Sequence, residues 1–245
     1  MELSYASKYH RLEEDHWWFS ARRDMIYKLI KNYHRDSEIL EIGCSGGPLI
    51  KFLKGQGFNN IQGIDINEAA IEICKQKGIN NVRVADARKT GFKDQQFDIV
   101  IASDVLEHIK DEAEAASEWR RILKPGGKLF IFVPAFKFLW SKHDEVNCHY
   151  RRYTKSALIN VLGGYGFKIN RSSYWNICLF LPVAIIRILQ RVFAMKTRKT
   201  GDQLQETNPV INKIFGYLLR FENKLLASGI NYPFGISVFA VAERT

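Results

Sequence analysis

The chain has 245 residues, 46% hydrophobic and 25% charged, with 36 Lys and Arg against 26 Asp and Glu and a formal net charge of +10. That length and apolar content suffice for the core of one large domain and exclude a disordered chain. The 4 cysteines lie apart with no C-x-x-C pair, which excludes a disulfide framework or a cysteine zinc site and fits a reducing cytosol.

In chain order, the start is polar and has no apolar stretch of the kind a signal peptide needs, so none is expected. Tyr9 and His10, then His16-Trp17-Trp18-Phe19 with Arg22 and Arg23, read as one or two helices ahead of the first strand. Ile39 to Gly47, I-L-E-I-G-C-S-G-G, is a short apolar run that ends in an acid and a glycine-rich turn. Leu49, Ile50, Phe52 and Leu53 then repeat at helical spacing, so the unit reads strand, tight turn, helix. Ile61 to Ile66 is a second strand. It carries Asp65 near its tip, about 20 residues beyond the turn, where an acid suits the two hydroxyls of a ribose. In Glu41-x-Gly43-x-Ser45-x-Gly47 the acid ahead of the glycines repels a phosphate and attracts an ammonium or sulfonium. A nucleoside-containing, positively charged cofactor follows from that pattern. Cys44 is counted with the turn but reads as a packing residue rather than a nucleophile.

Short strands continue at Val82 to Val84 and Phe97 to Ala102, and Leu123 to Pro134 reads as a helix end, a glycine turn and a strand. Strands alternating with helical patterns give a parallel sheet wrapped by helices, with the ligand at the carboxyl ends of the strands. A loop follows with His143-Asp144-Glu145 and His149-Tyr150-Arg151-Arg152-Tyr153, then a helix over Thr154 to Leu162 with Thr154 as its N-cap.

The motif from Glu41 to Gly47 resembles the first motif of the class I S-adenosylmethionine-dependent methyltransferases, E/D-x-G-x-G-x-G, with Ser45 in place of the middle glycine. The resemblance runs in order over residues 37 to 134 and implies further roles. Asp65, with Ile66, would hold the ribose, Asp86 would accept from the adenine amino group, and Ala87 would lie beside the ring. Ser103 and Val105 in S-D-V-L-E-H-I would line the methionine end, with His108 a weaker candidate there. S-adenosyl-L-methionine is then the cofactor and S-adenosyl-L-homocysteine the product. The family fold implies a doubly wound, Rossmann-like α/β sheet of seven mostly parallel strands. Phe167 to Tyr174 and Ile236 to Ala242 would form its antiparallel edge hairpin. Residues 1–36 would then be a helical cap, 37–174 and 235–245 the cofactor-binding core, and 175–234 a helical insertion.

The insertion carries an apolar run, Ile177 to Ile186, too short to span a bilayer and interrupted by Pro182. Arg187, Arg191, Lys196, Arg198 and Lys199 follow it. Val210 to Leu226 repeats Ile211, Ile214, Phe215, Leu218, Leu219, Leu225 and Leu226 at helical spacing among Lys213, Arg220 and Lys224. Such helices either lie in a membrane interface or pack on each other and on the sheet. The net charge favours an anionic partner, a lipid headgroup or a phosphate-bearing substrate. The expected setting is cytoplasmic, peripheral on the membrane if the first alternative holds. A nucleic-acid substrate is disfavoured, since no recognition module appears and S-D-V-L stands where base-amino methyltransferases carry N-P-P-Y or D-P-P-Y.

Trp17 and Trp18 fit either a cap over the cofactor pocket or an anchor for the leading helix. The H-x-x-R-R-Y-T pattern around His149 resembles a region of methyltransferases associated with sugar, lipid and quinone modification. Arg151 and Arg152, with Tyr153 beside them, offer forked donors for a substrate phosphate or carboxylate, or else an ion-pair network that orders the loop. Transfer to a hydroxyl benefits from a general base near neutral pH, for which His143 and His149 are the candidates. No metal-ligand spacing is apparent. The reading is methyl transfer to a small or lipid-linked acceptor, at oxygen. The alternatives are a catalytically silent cofactor-binding partner subunit, a nucleic-acid methyltransferase and a dehydrogenase of the same architecture.

Overall fold

The computed structural model describes residues 12–192 and 207–245. Tyr9, His10, Lys196, Arg198 and Lys199 lie outside the described residues, as does the side chain of Arg191. The strands are β1 (Ile39–Ile42), β2 (Ile61–Asp65), β3 (Val82–Val84), β4 (Phe97–Ser103), β5 (Leu123–Pro134), β6 (Phe167–Trp175) and β7 (Ser237–Arg244). They join in one sheet of order β3-β2-β1-β4-β5-β7-β6. The pairs from β3 to β5 are parallel, and β7 runs antiparallel to both β5 and β6. This is the doubly wound sheet with an antiparallel edge that the sequence leads one to expect.

The helices are α1 (Trp17–Ile30), α2 (Pro48–Gly55), α3 (Glu68–Gln76), α4 (Glu112–Ile122), α5 (Lys142–Val146), α6 (Lys155–Gly164), α7 (Phe180–Val192) and α8 (Pro209–Ala227). Side chains alternate across the strands, so consecutive residues feed two separate cores. Val100 and Ala102 of β4 with Leu129 and Ile131 of β5 meet Trp119 of α4 and Leu158 of α6 on one face. Ile99, Ile101, Phe130 and Phe132 meet Met25 of α1, Ile50 of α2 and Leu219 of α8 on the other. Gly63 of β2 marks a close approach of the second layer. A Cβ there would stand 2.7 Å from Ile50 Cδ1 and 2.9 Å from Cys44 Sγ.

α7 and α8 lie between β6 and β7 in the chain. Pro182 falls in the first turn of α7, where its missing N–H costs no helical hydrogen bond. α8 packs on α1 and the sheet through only part of its apolar set. Its buried face carries Leu219 and Leu226 but also Glu222 and Asn223, while Val210, Ile214, Tyr217 and Phe221 point outward. The inner polar residues are fully used. Glu222 accepts from the backbone N–H of Ile177 at 3.1 Å and of Asn176. Asn223 accepts from Trp175 Nε1 at 2.7 Å and donates to Ala21 O at 2.8 Å. The polar pattern fixes which side faces in, and the apolar stripe is left at the surface.

Candidate active site

The crevice between β1 and β4, where the strand order reverses, opens at the carboxyl ends of the parallel strands. Beyond β1 the chain turns through Gly43 (φ +73°), Ser45 (φ +47°) and Gly47 (φ +78°) into α2. A left-handed serine costs about 1 kcal/mol, and two contacts hold it. Its N–H donates to Asp65 Oδ2 at 2.9 Å and its hydroxyl to Glu13 Oε2 at 2.7 Å. Asp65 Oδ1 accepts from Asn67 N–H at 2.9 Å, so the acid is locked to the turn through its backbone. Ile66 beside it is 73% exposed, an apolar side chain standing in solvent at the crevice. A Cβ on Gly43 would lie 2.6 Å from Val105 Cγ2, so the loop after β4 presses directly on the turn.

Glu41 is buried, and its Oε2 has no hydrogen-bonding partner among the described residues. Burial, with Cys74, Glu13 and Asp65 nearby, pushes its carboxyl well above the usual range against the pull of Arg23. A buried acid with an open oxygen is suited to a cation. The Cys44 thiol departs from its place among the cofactor residues. It is buried beneath the turn against Gly63, and its hydrogen bond with Cys74, then burial, raises its pKa. Only its backbone belongs to the turn, because the side chain fills the space that Gly63 leaves.

Asp86 is likewise not open. Arg88 donates to it from the backbone at 2.8 Å and from the guanidinium at 2.7 Å, and that pair holds the Asp86 carboxyl below its usual range. Ala87 accepts from Trp119 Nε1 at 2.9 Å, which seats this loop on α4. Ser103 donates to Asp104 Oδ2 at 2.9 Å.

Next to Ser103 lies a residue that the sequence placed only within the aromatic cluster ahead of the first strand. Arg22 is buried, its guanidinium packed over the rings of Trp18 at 4.5 Å, Phe132 at 4.4 Å and Trp175 at 4.3 Å. It donates to Ser237 Oγ at 3.0 Å and lies 3.5 Å from Asp104, and its Nε has no partner among the described residues. Burial lowers its pKa, opposed by Asp104 and Glu107. The aromatic residues ahead of it were the only sequence signal. Trp18 thus helps enclose Arg22, whereas Trp17 leaves the candidate substrate set. Its N–H donates to Asn212 at 2.8 Å and its ring meets Phe215 edge-on at 5.2 Å, which docks α1 on α8.

The loop after β5 is organised by Asp144, which is fully buried. It accepts from His149 Nδ1 at 2.9 Å, from Arg152 at 2.8 and 3.0 Å, and from Ser141 N–H at 2.8 Å. Burial raises its pKa, but the bonds from His149 and Arg152 outweigh that and hold the carboxyl below its usual range. Since an ionised Asp144 only accepts, His149 Nδ1 donates in this contact, which in the neutral imidazole leaves the lone pair on Nε2. His149 packs edge-on against His108 with ring centroids 4.5 Å apart, and His143 lies 6.1 Å from His149. The substrate roles of Arg151, Arg152 and Tyr153 give way to internal ones. Arg152 is spent on Asp144 and Ala135 O, Arg151 pairs with Glu112 at 2.7 Å, and the Tyr153 hydroxyl donates to Glu112 at 2.7 Å. Their forked donors order the loop that carries His149.

Residues 40–131 match a family model described as a methyltransferase domain. A probable S-adenosylmethionine-dependent methyltransferase of Mycolicibacterium smegmatis is 25% identical over 161 residues, 64% of this chain and 62% of that one. A ubiquinone biosynthesis O-methyltransferase of Hahella chejuensis is 31% identical over 99 residues, 38% of this chain and 41% of the relative. The chain thus spans 62% and 41% of the lengths of these two relatives. A crystal structure of a SAM dependent methyltransferase from Archaeoglobus fulgidus has the same fold, with TM-score 0.64 at 19% identity over 96% of this chain and 99% of that one. The fold and the turn leave a crevice between β1 and β4 of the kind in which open α/β sheets hold their ligands. With these likenesses, residues 40–131 form a methyltransferase domain similar to those of the class I S-adenosylmethionine-dependent methyltransferases.

Proposed function

We propose that the chain transfers the methyl group of S-adenosylmethionine to an oxygen of a small or lipid-linked acceptor. The observation that carries this reading is the Asp144–His149 pair, which fixes one imidazole tautomer beside the loop after β4. The residues present fit the cofactor. The unpartnered oxygen of Glu41 suits its ammonium and the buried guanidinium of Arg22 its carboxylate. Asp65 takes the ribose hydroxyls, Ile66 and Ala87 flank the base, and Asp86 meets its amino group in competition with Arg88. Ser103 and Val105 border the methionine end. The cofactor supplies an electrophilic methyl group on a sulfonium. The chain's own residues align the acceptor, exclude water and take the acceptor's proton at His149 Nε2, with Asp144 stabilising the imidazolium. The ubiquinone-biosynthesis relatives, O-methyltransferases by name, support oxygen as the methylated atom.

The lipid-linked form of the acceptor rests on α7 and α8. Leu181, Ile185, Ile188, Ile214, Tyr217 and Phe221 are exposed on them, with Lys213 and Lys224 alongside. Phe180 at the start of α7 meets Phe136 at 5.7 Å, just beyond β5, so this apolar surface continues to the mouth of the crevice. Among the described residues no helix is long and apolar enough to cross a membrane. An interfacial position on anionic lipid suits the geometry and the charge of the chain.

Calorimetric titration with S-adenosylmethionine is the test of the donor. Saturable binding is expected, and Asp65→Ala weakens it by roughly 10–100-fold, the loss of charge-assisted hydrogen bonds to the ribose. Labelled-methyl transfer to phenols and alcohols, with and without an isoprenoid tail, tests the acceptor. His149→Ala retains cofactor binding and loses about 10²–10⁴-fold in rate. Unchanged affinity in the first variant, or an unchanged rate in the second, would refute the corresponding assignment.

A further inference from the structure

Glu107 sits on the short 3-10 turn Leu106–His108 after β4, is 1% exposed, and neither of its carboxylate oxygens has a hydrogen-bonding partner among the described residues. Leaving both oxygens of a buried carboxylate unmet is unfavourable. Asp104, Arg22 and Arg152 act on its charge from nearby, and two imidazoles stand within ligand reach. One ligand atom each of Glu107, His108 and His149 lies within 4.8 Å of the other two. The two histidines are held from behind. His149 donates Nδ1–H to Asp144 at 2.9 Å, and Asp144 is in turn fixed by Arg152 and Ser141. His108 makes a backbone hydrogen bond with Asn147. A ligand histidine whose other nitrogen is bonded to a carboxylate or a carbonyl is the usual outer shell of a metal centre.

We propose that Glu107, His108 and His149 bind one divalent transition-metal ion, Zn(II) or a neighbour such as Co(II) or Fe(II). Two imidazole nitrogens with one carboxylate favour these ions over Mg(II) and Ca(II), which prefer all-oxygen shells. Three protein ligands leave positions open, as in catalytic rather than structural sites. Ser103 and Asp104, at the methionine end, lie on the same loop as two of the ligands, so the open side serves the acceptor. This role rests on the oxygen-transfer reading. In the metal-loaded chain His149 Nε2 is a ligand and no longer the base assigned to it above, so the acceptor hydroxyl binds the ion and gives its proton to water. The oxygen lone pair then forms the new C–O bond as the S–CH₃ bond breaks, its electron pair returning to sulfur. Acceptor alcohol and sulfonium become methyl ether, thioether and one proton.

The test is titration of chelator-stripped full chain with Co(II), followed by visible absorption, then displacement by Zn(II). One equivalent is expected, with d–d bands of four- or five-coordinate cobalt. His108→Asn, at an exposed position that leaves the core intact, and Glu107→Gln each weaken binding by at least about 10-fold. His143→Asn, outside the trio, leaves it unchanged. Calorimetry with S-adenosylmethionine on the same samples reports the fold and the cofactor site separately. Absence of saturable Co(II) binding in protein that still binds the cofactor overturns the proposal, as does binding equal in all variants. One tightly bound ion with no transfer to any oxygen acceptor leaves the metal site standing and removes the oxygen-transfer reading.

Discussion

Removing the carboxylate of Asp144 strands three donors at once. In Asp144→Ala the Arg152 side chain, 9% exposed, keeps its charge with Ala135 O as its remaining acceptor, while Ser141 N–H and His149 Nδ1 lose theirs. Breaking a buried pair by deleting one partner costs about 3–5 kcal/mol, since the surviving charge stays desolvated. For a chain of this size each kcal/mol shifts Tm by roughly 2–4 °C, so a fall of about 6–20 °C is expected. The assay is thermal unfolding in chelator, so that no metal linkage contributes, on Asp144→Ala, Arg152→Met and the double variant. The double variant is expected to be more stable than the sum of the singles by about 0.5–3 kcal/mol, because methionine leaves no stranded charge. A single-variant loss below about 1 kcal/mol, or strict additivity, would show that the loop is not held by this pair.

Gly63→Ala forces α2 and Cys44 away from β2 and is expected to cost about 1–3 kcal/mol in urea unfolding, with weaker cofactor binding through the displaced turn. An unperturbed midpoint would mean the layers are looser than 2.7 Å implies. Ile214→Glu with Phe221→Glu, both exposed, leaves stability within about 1 kcal/mol and abolishes sedimentation with phosphatidylserine vesicles. Wild-type sedimentation of that pair would rule out the stripe as a lipid contact. Burial raises the Glu118 pKa, but bonds from Arg121 and Thr90 outweigh it and set the folded value below 4.5. The stability from those bonds is therefore full above pH 4.5 and falls away as pH drops through the lower folded value. Glu118→Gln is expected to flatten that acid limb, and an identical pH profile would contradict the assignment.

What the sequence shows plainly is what local backbone geometry demands. The left-handed positions of the turn, the acid at the tip of β2 and the alternation within β4 and β5 follow from short-range sterics and a period of two. The chemistry of the acceptor side was less legible, because it is assembled from separated segments. His149 reaches His108 only once the loop after β5 folds back over the turn after β4, with Tyr150 N–H donating to Glu107 O at 2.8 Å. No spacing rule announces that contact. Arg151 and Arg152 misled for the same reason, since forked donors suit a substrate anion and a buried aspartate equally well. Arg22 was hidden because a cation among aromatic residues reads as surface until three rings enclose it. The stripe on α8 looked like core by periodicity alone. The polar pair Glu222 and Asn223 decides its orientation, and periodicity carries no sign.

β7 enters the sheet between β5 and β6, both made earlier in the chain. Until it arrives, β5 and β6 are two open edges facing each other across a gap of roughly 10 Å, twice the strand spacing. All of α7 and α8 must leave the ribosome before that gap can close, so the nascent chain shows its apolar helices and two unpaired edges together. Loop-closure entropy rises only logarithmically with length, so the long insertion adds little equilibrium cost. Its cost falls on time instead. Synthesis of this chain passes through a late interval in which folding is limited by the arrival of a single strand, and aggregation competes hardest there.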